Sequence, residues 1–344
     1  MCQLAAYVGD KPVAPLLLDA LRLQEGYFGG QATGLATLNK GRITTHKAPG
    51  PVDQFKKSTD LKQFKGTTGI AHSRYSLSVL KGPEYNLAAN AHPWLNEAGT
   101  LAMMHNGIIN NYRDHWDSLR KRHTFTSYSP AVGDITDSEV ALFLLDERLR
   151  EGKMLPDALR ETANSLTGTV LLAAMHVDEP EAVYIANWMQ AGTLAKGDGE
   201  SMFTSSRIGL AGLRDELDIF RAPRNSLIRL TRDRIEVVKL DPSRRAPDPD
   251  LDEEELLRQS LRVLKSHGEM DSVALLQFLS KGGFEEVFHL PPEEWRRLFL
   301  LGHGDQNQIM EPLAAAAAKG RIGLRVRTRH EGGVDVPRVF WFTT

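Results

Sequence analysis

The sequence predicts an α+β protein built in two parts, and three observations carry that prediction. Over residues 1–240, strand-like and helix-like segments come in clusters, which suits helices covering stacked sheets. DPSRRAPDPD (241–250) holds three prolines and alternating charge, so it reads as a linker. Residues 251–344 are mainly helical in pattern and close on two extended segments. A chain of 344 residues has length enough for two ordinary domains.

Taken in order, MCQLAAYVG reads as a strand from residue 2 onward, and PVAPLLLDALRLQEG (12–26) has helical apolar spacing with a stop at Gly26. GYFGGQATG (26–34) is a glycine-rich loop, and LATLNKGRITTHKA (35–48) a hairpin turning at Lys40-Gly41. TTGIAHSRYSL (67–77) is a strand running into a loop. TLAMMHNGIINNY (100–112) is a strand, then a turn signalled by Asn106-Gly107, then a helix start. DITDSEVALFLLDERLREG (134–152) is a helix with Asp137 in its first turn, where a carboxylate favours the helix dipole. A second helix covers 155–166, and strands are expected at 168–177, 181–188, 226–231 and 234–240.

In the C-terminal part, 251–268 has an acidic start and a glycine stop, as a helix should. Further helices are expected over 272–283, 291–304 and 306–320, the last with Pro312 as a kink. The segments 321–329 and 338–342 form a hairpin, and helices followed by a glycine-tipped hairpin resemble a winged helix. Alternation puts Arg325, Arg327 and Arg329 on one strand face. Such a stripe serves either as a phosphate-contacting wing or as a solvated or protein-docking face. The segment 251–344 holds 12 Lys+Arg and 14 Asp+Glu, so nucleic acid is the less favoured partner.

Composition excludes several classes. Hydrophobic residues are 41%, charged residues 25% and the net charge is −2, with no global pull toward nucleic acid or membrane. One cysteine cannot make an internal disulfide or a cysteine-rich zinc site, and no metal site is expected. No signal peptide or long apolar run is evident. The expected setting is the cytoplasm.

The single cysteine is residue 2. Removal of Met1 would leave a thiol and an α-amine on one residue, with ordinary pKa values of about 8.5 and about 7.7–8.0. The amine can then take the thiol's proton, so nucleophile and base are joined. The alternative is a small apolar residue opening a buried strand.

Four segments in order bear on that choice: MCQLAAYVG, GIAHSRYS (69–76), NAHP (90–93) with MHNGIINNY (104–112), and ITDSEV (135–140). Together they resemble the glutaminase domain of class II glutamine amidotransferases, closest to the glutaminase half of glucosamine-6-phosphate synthases. The likeness covers residues 1–240. It implies a four-layer αββα N-terminal-nucleophile hydrolase fold. It also implies that Cys2 attacks the glutamine carboxamide, while Asn106 and Gly107 donate N–H groups to the oxyanion. Arg74 clamps the α-carboxylate and Asp137 the α-ammonium. Tyr75 and Ser78 lie in the loop that contacts the substrate. His92 and His105 are structural. No cofactor is required.

The sequence also departs from the family pattern. Gln3 replaces a glycine, Leu77 and Ser78 replace a threonine and a histidine, and the glycine-rich loop lacks an arginine and an aspartate. The residues after 250 show no P-loop and no dinucleotide fingerprint. The implied function is a glutaminase that passes ammonia to an unidentified acceptor or partner subunit, in a homo-oligomer. The alternatives are a glutamine-sensing regulator with a nucleic-acid- or protein-binding tail, and an amidohydrolase for another γ-glutamyl amide.

Overall fold

The computed structural model describes residues 2–213, 216–281, 284–294 and 306–344. Its organisation follows from strand parity. Strand β1 (Gln3–Gly9) is buried along its length, and successive side chains must point to opposite faces. The even residues Leu4, Ala6 and Val8 share a core with Ala102, Met104, Leu171 and Ile185. The odd residues Ala5 and Tyr7 pack with Leu17 and Leu21 of helix α1 (Val13–Gln24). A strand covered on both faces needs a nearly continuous apolar run, which QLAAYVG supplies.

The first sheet has the order β11-β9-β10-β1-β4-β2-β3. It comprises β2 (Ala32–Asn39), β3 (Arg42–Pro49), β4 (Thr68–Arg74), β9 (Thr193–Gly197), β10 (Glu200–Thr204) and β11 (Asp218–Arg221) beside β1. The second has the order β13-β12-β8-β7-β6-β5. Its strands are β5 (Trp94–Leu95), β6 (Leu101–Ile109), β7 (Gly168–His176), β8 (Ala182–Trp188), β12 (Asn225–Thr231) and β13 (Ile235–Lys239). Helix α1 and α2 (Val52–Ser58) cover the outer face of the first sheet. On the second sheet, α4 (Asp137–Arg150) and α5 (Leu155–Ser165) pack against Leu101, Met103, Val170 and Leu172. The layers are therefore helix, sheet, sheet, helix. A short helix, α3 (Tyr112–Leu119), links β6 toward α4.

One local signal was overridden. Asn106-Gly107 is no turn, because β6 runs through both residues to Ile109, paired with β7 in the register Asn106↔Leu171 and Gly107↔Val170. The ladder fixes them as strand residues, and the chain bends only before α3.

Residues 241–250 hold no regular structure, yet they lie fastened along the second sheet. Asn225 Nδ2 donates to the carbonyls of Asp241 and Arg244 at 2.8 Å each, and Arg244 stacks 3.5 Å from the Trp188 ring centroid. Beyond them come α6 (Glu253–His267), β14 (Met270–Asp271), α7 (Ser272–Lys281), α8 (Phe284–Val287), α9 (Gln306–Ala318), β15 (Gly323–Glu331) and β16 (Val334–Phe342). Helix α6 opens on Asp252, whose carboxylate accepts from Glu255 N at 2.9 Å, and stops at Gly268, φ 78°. Of the helix expected over 291–304, residues 295–304 lie outside the described residues. Leu256, Leu275, Ile309, Leu313 and Trp341 form the core of this lobe, and Phe28 of the glycine-rich loop joins them.

Candidate active site

The two sheets present their facing residues to one end of the sandwich, and even-numbered positions bring the site together there. In the register of β1 and β4, Gln3 pairs with Ser73 and Leu4 with His72. Continuing it by one residue sets Cys2 opposite Arg74. On β6 the same parity that buries Ala102 and Met104 between the sheets turns Asn106 toward Cys2. Asp137, first residue of α4, closes the far side: its Oδ2 accepts from Ile109 N at 2.9 Å. Cys2, Arg74, Tyr75, Ser78, Gly107 and Asp137 all line one cavity of about 880 Å³.

The thiol is held by backbone. Tyr75 N donates to Cys2 Sγ at 3.2 Å, and the sulfur lies 3.4 Å from the Tyr75 carbonyl oxygen. Asn106 Nδ2 donates to the Cys2 carbonyl and to Ser205 Oγ, both at 3.1 Å, while its Oδ1 meets His72 Nε2 at 3.0 Å. The amide orientation is thus fixed from three sides. Gly107 is exposed to the cavity at φ 131°, and a Cβ there would fall 1.9 Å from the Thr169 carbonyl oxygen. Only glycine fits.

Charge in the cavity is unbalanced in a specific way. Arg74 is largely buried, which pushes its pKa below the ordinary arginine value. Among the described residues it forms no ion pair, and its Nη1 has no hydrogen-bond partner. An unmatched buried cation is costly, so the site is poised for an anion. Three buried histidines surround Asn106. Burial drives His72 down to about 3 and His92 well below its usual value, and it lowers His105 as well. His105 Nδ1 bonds Ser138 Oγ at 2.9 Å, and His92 lies between His72, tilted against it at a centroid distance of 4.1 Å, and Trp94, met edge-on at 4.2 Å. Neutral imidazoles pack here without adding charge.

No family model matches the chain. Residues of the N-terminal part do align with curated proteins. The glutamine–fructose-6-phosphate aminotransferase [isomerizing] of Pyrococcus horikoshii is 32% identical over 209 residues, 60% of this chain and 33% of that protein. Its namesake from Zymomonas mobilis is 30% identical over 238 residues, 69% of this chain and 36% of the relative. This chain therefore spans about a third of the length of the relatives it matches. Over these residues the chain is similar to glutamine-dependent aminotransferases. The fold likeness extends to glutamine phosphoribosylpyrophosphate amidotransferase from B. subtilis, with a TM-score of 0.57 at 15% identity, covering 74% of this chain and 52% of that one.

Within the N-terminal part, two of the departures from the resembled pattern, Gln3 and the glycine-rich loop, meet the C-terminal lobe. Gln3 points away from the thiol, and its Nε2 donates to Asn307 Oδ1 of α9 at 2.9 Å. The glycine-rich loop, lacking its own arginine, receives Arg338 from β16. Arg338 Nη1 donates to the Gly29 carbonyl at 2.8 Å, and its Nε and Nη2 grip both oxygens of the buried Glu331 at 2.7 and 2.6 Å. Gln31 bridges onward, donating to Glu331 at 2.8 Å and accepting from Ser76 N at 2.6 Å. Arg338 also lies 5.4 Å from the Tyr75 ring, whose pKa burial raises to about 12. Ser205, His72, Gln31, Glu331 and Arg338 were not found by sequence reasoning. His72 and Gln31 lie within the GIAHSRYS and GYFGGQATG segments without being singled out there, and contacts distant in the chain give each of the five its place.

The arginine stripe is also accounted for. Arg325 and Arg327 pair with Glu269 at 2.8 and 2.9 Å, and Arg329 with Asp271 at 2.5 Å. Two carboxylates of the same lobe offset most of the charge of the three arginines, so the face offers little to phosphate. Among the described residues, no helix is long and apolar enough to cross a membrane, and no cluster of three or more potential metal ligands occurs.

Proposed function

We propose that this chain hydrolyses the γ-carboxamide of glutamine or a close γ-glutamyl amide through a Cys2 thioester. The observation that carries the reading is the Arg74 guanidinium, with no ion pair among the described residues and a buried, unpartnered Nη1, in one cavity with the Cys2 thiol and the Asp137 carboxylate. A cation and an anion flanking a nucleophile match the zwitterion of a free amino acid.

In this mechanism Met1 is removed and the freed α-amine takes the Cys2 proton. Sγ attacks the carboxamide carbon. The oxyanion accepts from Gly107 N and from Asn106 Nδ2, which exchanges one of its present acceptors for it. The amine returns the proton to the leaving nitrogen, the C–N bond breaks, and water then hydrolyses the thioester to glutamate. Tyr75 and Ser78 cover the substrate. Residues 1–240 carry the chemistry, 241–250 connect, and 251–344 complete the site. The released ammonia passes to an acceptor, on a partner subunit or in solution, and no cofactor takes part. The pairing of all three stripe arginines with Glu269 and Asp271 weakens the main motive for the nucleic-acid-binding alternative.

Intact-protein mass spectrometry before and after 6-diazo-5-oxonorleucine tests the reading. The expected result is loss of Met1 and a single adduct on Cys2. Folded protein that keeps Met1, or leaves Cys2 unlabelled, would overturn it.

A further inference from the structure

Resting on the Cys2 reading, we propose that the amide this site prefers bears an apolar group on its nitrogen, making the substrate a γ-glutamyl N-alkyl or N-aryl amide. The argument begins with size. A cavity of about 880 Å³ lies in the range of about 300–1,000 Å³ that holds drug-sized ligands. Glutamine alone would fill a fraction of it.

The second observation is the chemistry of the walls. Leu77, Ile108 and Val132 line the cavity with 60%, 66% and 52% of their surfaces exposed. Large apolar side chains gathered on one concave surface mark a binding site rather than scattered surface residues. Val273 and Leu276 of α7, both half-buried, extend the same lining from the C-terminal lobe.

The third observation is direction. Arg74 and Asp137 claim the α-carbon end of a γ-glutamyl compound, so its amide nitrogen points to the opposite end. The elements that adjoin the thiol lead to the C-terminal lobe. Tyr75, which donates its N–H to Cys2 Sγ, makes an edge contact with Phe28 at 6.1 Å between ring centroids. Phe28 belongs to the same core as Leu275 and Leu279 of α7. A substituent on the leaving nitrogen therefore runs along α7, where the lining side chains Val273, Leu276, Gln277 and Ser280 carry no charge. An apolar group is matched there and a charged one is not.

The chemistry balances as in glutamine hydrolysis. The C–S bond forms as the C–N bond breaks, the proton from Cys2 leaves with the nitrogen as a primary amine, and water releases glutamate and restores the thiol.

The experiment compares kcat/KM for L-glutamine and γ-glutamylisobutylamide on the full chain, with 6-diazo-5-oxonorleucine labelling of Cys2 run alongside. Filling an apolar pocket by even one methylene is worth about tenfold or more in discrimination, so the isobutylamide is expected to lead by about tenfold at least. In Leu276→Gln and Val273→Thr the ratio of the two constants falls toward one. Because the ratio is taken within each variant, partial loss of folded protein cancels. Glutamine outrunning the isobutylamide, with Cys2 still labelled, would overturn this inference and leave the Cys2 reading standing. Absence of labelling would overturn the reading beneath it.

Discussion

Replacing Arg74 by methionine should move stability and activity in opposite directions. In the free protein Arg74 is half-buried, has no ion pair among the described residues and leaves its buried Nη1 without a partner. A buried polar group left unsatisfied costs about 1–3 kcal/mol, and more when charged. Methionine keeps most of the side-chain length and carries no charge, so Arg74→Met should stabilise the free protein by about 1–3 kcal/mol. For a chain of this size that is a rise of a few °C in Tm. The same change deletes the partner of the substrate carboxylate. Truncating one side of a buried, hydrogen-bonded charge pair costs about 2–5 kcal/mol, which lowers kcat/KM by about 30- to 5,000-fold. Urea unfolding without substrate and glutamate release with substrate measure the two effects. A Met variant that is less stable than the parent and retains kcat/KM within about threefold would refute the reasoning, because Arg74 would then be serving the fold.

Gly107→Ala places a Cβ 1.9 Å from the Thr169 oxygen at φ 131°. It should lower turnover by about 100-fold or more as the donor geometry shifts, with a stability loss of about 1–3 kcal/mol, read by steady-state kinetics and urea unfolding. Glu25 is a buried acid whose pKa burial raises from 4.5 to about 7. The native state thus holds its proton longer than the unfolded chain does, so stability falls as pH rises from about 4.5 to about 7. Glu25→Gln should flatten that slope and gain stability at pH 8 but not at pH 4, as denaturant midpoints across pH would show. Glu331 behaves oppositely: burial pushes its carboxyl up, but Arg338 brings it below the ordinary value. Its contribution is present above the unfolded pKa and lost as pH falls through the folded one. Glu331→Gln should therefore cost about 3–5 kcal/mol at pH 7, a loss that narrows in acid when unfolding is followed by fluorescence.

The residues of the candidate site were legible through the likeness of four ordered segments to a known family, and Cys2 also through its thiol and α-amine. Strand alternation accounts for their meeting: Arg74 and Asn106 sit at even positions of β4 and β6, the parity of Ile70, Ala102 and Met104 between the sheets. Asp137 was legible as a first-turn acid of a strongly patterned helix. Asn106-Gly107 misled as a turn because the dipeptide's local preference yields to nine-residue pairing of β6 with β7. The short strands β9, β10 and β11 went unread, since five residues or fewer leave little period to detect. The path of Arg338 to Gly29, across 309 positions of sequence, has no local trace. Neither does the wall that α7 gives the cavity. Such contacts arise only when two independently patterned parts dock.

That docking bears on how the sequence can vary by descent. Gln3 meets Asn307, Gln31 meets Glu331, Ser206 meets Glu311, and Arg224 meets Gln308. A crossover that joined this head to the tail of a distant cousin would break these pairings at once. The two parts must therefore be inherited as a matched set, and substitutions at position 3 or in the glycine-rich loop should track those near positions 307 and 338.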